Sequence, residues 1–301
     1  MIGRIIFVIF ALLGAGFVSR KVSLLTSGRV DILNKLAFYV ALPALVFHSI
    51  YRLSLGEIFS PLLVMGFLIV VFSTSGLGWF TFRKVESAPK KSISIVQSYH
   101  GNLGYMGLPI VTFALGEIGG AKASFLLGFS TIVQILLTVS LLVNMNQIGG
   151  ELRGEIKKVA FNPVLLALVT GLLFSYLNIS IWTGVEEIIS LIGKAALPLA
   201  LIGVGASIEL KGWSEDLKTI SSVTFLKIVF MPILGFVILT GLGVETISLK
   251  TGVLMLAMPP AASTYIYASE LGGDKRLASL NISITTIASL LTLSVLLVLL
   301  A

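Results

Sequence analysis

Apolar runs long enough to cross a bilayer follow one another along almost the whole chain, with short polar stretches between them. A membrane helix needs roughly 17–25 apolar residues. Such spans can be drawn at 3–19, 33–51, 61–82, 94–116, 122–146, 161–178, 185–207, 220–242, 250–268 and 279–300. The pattern predicts an all-α integral membrane protein with ten transmembrane helices and no room for a soluble domain. The first span joins a basic residue, an apolar run and small residues near its end, as a signal peptide does. Kept as a helix, it makes the charge and repeat patterns below consistent.

Composition agrees with that pattern. Apolar residues make up 56% and charged residues 12% of the chain, against about 25% charged in soluble domains, and the mean hydropathy is +1.04. With no cysteine, disulfides, thiolate chemistry and cysteine metal sites are excluded. The net charge of +7 would point to nucleic acid in a soluble chain. Here it follows the loops instead. Alternate connections carry fifteen Lys and Arg on one side, from Arg20 and Lys21 to Lys275 and Arg276. The other side carries four: Arg4, Arg52, Lys122 and Lys250. The basic side is expected in the cytoplasm, with both termini outside.

One stretch resists helix formation. His100-Gly101-Asn102-Leu103-Gly104-Tyr105-Met106-Gly107-Leu108-Pro109-Ile110 places three glycines and a proline within nine residues of an otherwise apolar span. Each glycine costs about 1 kcal/mol of helix stability relative to alanine, and proline removes a donor and clashes with the preceding turn. Broken backbone is tolerated in a membrane only where protein buries it or it lines a cavity. Close packing by small residues around a proline kink would use the same residues.

The chain also repeats itself. Ala41-Leu42-Pro43-Ala44 is echoed by Ala196-Leu197-Pro198-Leu199, and Gly107-Leu108-Pro109 by Ala257-Met258-Pro259-Pro260-Ala261. The offsets, 155 and then 150 or 151, are about half of the 301 residues. Two directly joined five-span halves must be inverted relative to one another, the plan of secondary transporters whose broken helices mark the binding site. The halves are expected at 1–146 and 161–301, joined by a short cytoplasmic connection at 147–160.

Asn102 followed by Gly107 and Pro109 resembles the Asn-x4-Gly-x-Pro of the fourth helix in the auxin efflux carrier family. The run from Pro260 through Ala268-Ser269-Glu270 to Asp274 is similar to the family's second proline-rich crossover. Together with Leu33-Asn34-Lys35-Leu36 and Pro43, the resemblance covers nearly the whole chain. It implies two inverted five-helix repeats with broken, crossing helices 4 and 9. It also implies a scaffold of helices 1, 2, 6 and 7, a moving transport domain of helices 3–5 and 8–10, and a homodimer. The short central connection looks prokaryotic and sets the chain apart from the plant exporters.

Half-helices beginning after breaks at Pro109 and at Pro259-Pro260 would aim free N–H groups at a shared point that favours anions. The expected substrate-binding residues are Gly101, Asn102, Gly104, Gly107, Pro109, Pro259, Pro260, Ser263 and Thr264, with Lys227 as counter-ion. Lys227 and Lys194 fall inside spans, where a lysine either serves a site or snorkels to the interface. His48 and His100, the only histidines, are candidates for gating or proton coupling, together with Lys194. Ser73, Thr74 and Ser75 are expected to bond back to their own helix. The fourteen acids all lie in loops or at span ends, which argues against a sodium–proton antiporter.

The reading is therefore a cell-membrane permease for a small organic anion, a dicarboxylate or an aromatic acid, working by an elevator-like movement. Its partners are that anion and the lipid bilayer, with no nucleic acid, no metal and no cofactor. A sensor binding the same anion without moving it is the alternative. An intramembrane enzyme would need a motif such as HExxH or GxSxG or a membrane Asp pair, and the chain has none of these.

Overall fold

The structure, a computed structural model, describes residues 2–147 and 161–300. The expected connection at 147–160, with Arg153, Lys157 and Lys158, lies beyond Gln147 outside the described residues. All the regular elements among the described residues are helices. Seven of these helices are long and apolar enough to cross a membrane. They are α1 (Ile2–Lys21), α2 (Ser27–Ile50), α3 (Leu55–Thr81), α5 (Leu103–Asn146), α7 (Thr183–Ala206), α8 (Trp213–Gly241) and α11 (Lys275–Leu299). Shorter helices complete the set: α4 (Ala88–Tyr99), α6 (Pro163–Tyr176), α9 (Thr246–Leu256) and α10 (Ser263–Glu270). Large apolar side chains such as Phe7, Leu191, Leu291 and Leu299 face outward, as they do against lipid tails.

Three prolines are absorbed in the same way. Pro43, Pro109 and Pro232 each follow a five-residue π-helical turn, at 37–41, 103–107 and 226–230. In each, the residue before the proline donates five positions back: Leu42 to Ala37, Leu108 to Leu103 and Met231 to Leu226. The wider turn makes room for a ring that would otherwise strike the carbonyl four residues earlier. This corrects the expected break at Pro109. The helix is interrupted at His100–Asn102 instead, and Pro109 sits within α5, just after its π turn. The second break, at Ala257–Ala262 between α9 and α10, includes Pro259 and Pro260 as expected.

The loop expected between the fourth and fifth spans is also absent. α5 turns sharply at Gly116, whose φ of 74° and ψ of −163° suit a residue without Cβ. Lys122, expected in that loop, is a buried helical residue whose Nζ lies 3.3 Å from the Glu245 carboxylate.

Glycines bring backbones together. A Cβ on Gly16 of α1 would lie 2.1 Å from the Ile202 carbonyl oxygen of α7, and one on Gly205 would lie 2.1 Å from that of Leu13. α1 and α7 are thus packed at backbone distance. α2 packs on α6 and on the first half of α7, while α4 and α9 pack on α5 and α3, α8 on α3, and α11 on α4 and α8. Thr74 departs from expectation: its hydroxyl is buried and has no hydrogen-bond partner among the described residues.

Candidate functional site

The two broken helices meet. The N–H of Asn102 donates to the Pro259 carbonyl at 2.8 Å, and the N–H of Ala261 donates to the His100 carbonyl at 3.0 Å. Gly101 and Pro260 face each other antiparallel between these bonds. Each break therefore satisfies backbone groups of the other, which a buried, unwound segment requires. Pro259 and Pro260 suit that role because neither has an N–H to leave unpaired.

A cavity of about 200 Å³ opens at this junction, with walls including Gly101, Asn102, Gly104, Gln134, Ser263 and Tyr267. Asn102 is buried, and its Oδ1 accepts the Tyr105 N–H at 3.3 Å. Its backbone carbonyl accepts from Met106 and Gly107. Asn102 thereby caps the π turn that opens α5, while its Nδ2 donates to no described residue.

Gln134 of α5, which the motif reading passed over, supports the same junction from the side. Its Oε1 accepts the Gly101 N–H at 3.0 Å. Gln134 is on the cavity wall, and its Nε2 is buried and without a partner among the described residues. An unpaired buried amide donor costs about 1–3 kcal/mol, a cost that a bound acceptor removes. Thr138, one turn along α5, holds the Tyr99 hydroxyl at 3.0 Å and His100 Nδ1 at 2.8 Å.

Among the described residues no Asp, Glu, Lys or Arg side chain lines the cavity. A lysine stands behind its wall. Lys227 is completely buried, and its Nζ lies 3.2 Å from where a Cβ on Gly101 would be.

The expected site residues divide accordingly. Gly101, Asn102, Gly104, Ser263 and His100 line the cavity; Gly107, Pro109, Pro259, Pro260, Thr264 and Lys227 do not. Thr264 is already committed. Its hydroxyl donates to the Ala261 carbonyl at 2.6 Å and accepts from Gln97 Nε2 at 2.9 Å, in a buried network completed by Asn281. Gly107 packs instead, since a Cβ there would lie 2.7 Å from Met255 Sδ. His48, half-buried beside Tyr51 in α2, and Lys194, exposed on α7, are not on the cavity wall.

A larger cavity of about 550 Å³ is lined by Arg20, Lys211, Lys275 and Arg276 with one acid, Glu209. The two cavities share Ala262.

In this helical membrane protein an interior cavity sits where two interrupted helices exchange backbone hydrogen bonds. Comparison with known proteins gives the class its name. The family model described as "Membrane transport protein" matches residues 1–159 and again 152–297, so the chain belongs to that family, the auxin efflux carriers. Over 274 residues it is 26% identical to a Rhizobium meliloti protein named "Putative malonate transporter", covering 87% of this chain and 84% of that one. It is 25% identical over 282 residues to an uncharacterized transporter of Methanothermobacter thermautotrophicus, covering 92% and 91%. An uncharacterized transporter of Escherichia coli K12 is 23% identical over 289 residues, covering 92% and 90%. The chain is thus a multi-pass membrane transport protein.

Proposed function

We propose that this transporter carries a small carboxylate, bound at the junction of the two breaks. Gln134, on the cavity wall and with a buried Nε2 that has no partner among the described residues, carries the reading. With Asn102 Nδ2 it makes a pair of amide donors and no carboxylate beside them, an arrangement that accepts an anion and repels nothing negative. The larger cavity, with four basic residues and one acid, supplies a positively lined approach that reaches the junction at Ala262. Such a lining raises the local concentration of anions. The malonate in the name of the Rhizobium meliloti relative is a carboxylate of suitable size.

Alternating access follows from an inverted-repeat reading. α4 with the part of α5 before Gly116 forms one crossing, the rest of α5 the next, and α9 with α10 another. With α1, α2, α3, α6, α7, α8 and α11 this makes ten crossings, five before residue 147 and five after 160. The paired breaks and the Pro43 and Pro198 bends occupy matching places in the two halves, which supports inversion. In this reading α1, α2, α6 and α7 stay fixed, and the helices holding the cavity slide past them. The ion pairs agree with the expected sidedness. Lys90–Asp216 and Arg276–Glu215 join segments of the basic side, and Arg52–Glu186 and Lys122–Glu245 join segments of the other. In this reading the basic side is cytoplasmic and both termini lie outside, as the positive-inside rule expects.

Uptake of labelled malonate into sealed vesicles carrying the purified protein tests the reading. Saturable accumulation that Asn102→Asp abolishes supports it. Binding without accumulation would instead make the protein a sensor.

A further inference from the structure

Two of the π turns meet at the junction cavity. The turn at 37–41 in α2 carries Phe38, and the turn at 103–107 in α5 carries Tyr105. Both residues line the cavity. Their rings stack on each other, with centroids 5.8 Å apart and planes 14° from parallel. The pair is held from both sides. The Tyr105 hydroxyl donates to the Asn34 carbonyl of α2 at 3.4 Å. Asn34 is itself wedged against α7, since a Cβ on Gly203 would lie 2.2 Å from its Oδ1. Phe38 also stands edge-on to Tyr39, with centroids 5.2 Å apart.

The stack limits what fits. Carbon atoms in contact lie about 3.5–4.0 Å apart. A third ring slotted between Phe38 and Tyr105 would need about twice that, roughly 7 Å, where the two centroids stand 5.8 Å apart. The cavity itself holds about 200 Å³, less than the roughly 300–1,000 Å³ of sites that enclose drug-sized ligands. An aromatic ligand would have to part the two rings to gain room.

We infer that Phe38 and Tyr105 are the size filter of this carrier: stacked on each other, they fill the space an aromatic ring would need. The junction therefore takes a short aliphatic carboxylate and excludes an arylacetate. Both kinds of acid offer the same carboxylate to the amides of Asn102 and Gln134. They differ in the remainder of the molecule, and the ring pair is the part of the wall that sorts it. The filter is assembled from α2, read above as fixed, and α5, read as moving. The inference rests on the carboxylate-transport reading and narrows its substrate class.

Sealed vesicles carrying wild type, Phe38→Val or Tyr105→Val are given labelled malonate, and unlabelled malonate and phenylacetate are compared as competitors. Malonate should compete with wild type more strongly than phenylacetate, by roughly tenfold or more, and that ratio should fall by roughly tenfold in each valine variant. Both competitors act on the same sample, so a smaller folded fraction cancels from the ratio. Tyr105→Phe keeps the ring and drops the bond to Asn34, and should keep the wild-type ratio. A wild type inhibited equally by the two acids would overturn the inference. So would valine variants with the wild-type ratio, or a Tyr105→Phe variant that loses selectivity as Tyr105→Val does. Melting with benzyl alcohol needs no transport. A cavity opened by removing a ring binds a small aromatic molecule, so the alcohol should raise the melting temperature of Tyr105→Val relative to its effect on wild type. If wild-type vesicles take up no malonate, the transport reading fails. The alcohol-specific rise would still establish that the rings fill the cavity, and its absence would remove the inference. The same comparison decides where a valine variant carries no malonate.

Discussion

Gln134, on the cavity wall, accepts the N–H of Gly101 through Oε1 at 3.0 Å, leaving the other end of the same amide buried and unpaired among the described residues. One side chain thus holds the unwound backbone in place and offers a donor to whatever occupies the cavity. Replacing it separates the two roles. Gln134→Glu keeps an oxygen for Gly101 and puts a carboxylate oxygen where the free donor was. Its carboxylate affinity should fall at least tenfold, about 1.4 kcal/mol, with little change in melting. Gln134→Leu also orphans the Gly101 N–H and should destabilise by about 1–3 kcal/mol. Thermal melting with and without ligand reads both.

Asn102 divides in the same way. Asn102→Ala removes the cap on the Tyr105 N–H, at a cost of about 1 kcal/mol, and removes the Nδ2 donor as well. Asn102→Asp keeps the capping oxygen and loses only the donor, while adding a charge that repels an anion. The alanine variant should melt lower and bind weakly; the aspartate variant should melt near wild type and bind no carboxylate. An aspartate variant that binds as wild type would confine Asn102 to capping.

The glycines of the same stretch should behave differently from one another. A Cβ on Gly104 meets nothing within 4 Å, whereas one on Gly107 would lie 2.7 Å from Met255 Sδ. Gly104→Ala should fold normally and discriminate against larger carboxylates, because it takes space from a cavity of about 200 Å³. Gly107→Ala should lose about 1–3 kcal/mol of stability through overpacking with no change in the order of substrate preference. Competition by carboxylates of increasing length measures the first, and melting the second.

Much of this architecture is legible in the residues because a bilayer permits so few solutions. Apolar runs announce the helices, and glycines and prolines announce where they fail. The position of the first break was misread because proline was taken as the breaking residue. A π turn absorbs Pro109, and the unwinding falls seven residues earlier, where Gly101 lets Lys227 approach. The turn at Gly116 falls where the fourth span was expected to end, but a single glycine in an apolar run gives no sign that its own φ replaces the expected loop.

Gln134 was overlooked because motif reading favours breaks over the middle of an uninterrupted span. A signal was present: Thr131, Gln134 and Thr138 recur at helical spacing on one face of α5. Thr264 shows the opposite error. Its hydroxyl looks available in sequence, but Gln97 and Ala261 already occupy it. Lys227 looked like a direct ligand or a snorkelling side chain, and it is buried with its ammonium on the carbonyl of Leu256, the last residue of α9.

The most direct measurement is uptake of a labelled dicarboxylate into sealed vesicles, run in parallel on wild type and Gln134→Glu with the amount of folded protein matched. The account predicts saturable accumulation by wild type and a loss of roughly tenfold or more in the variant. Equal accumulation by both would contradict it, since the amide at the junction would then have no part in holding the anion.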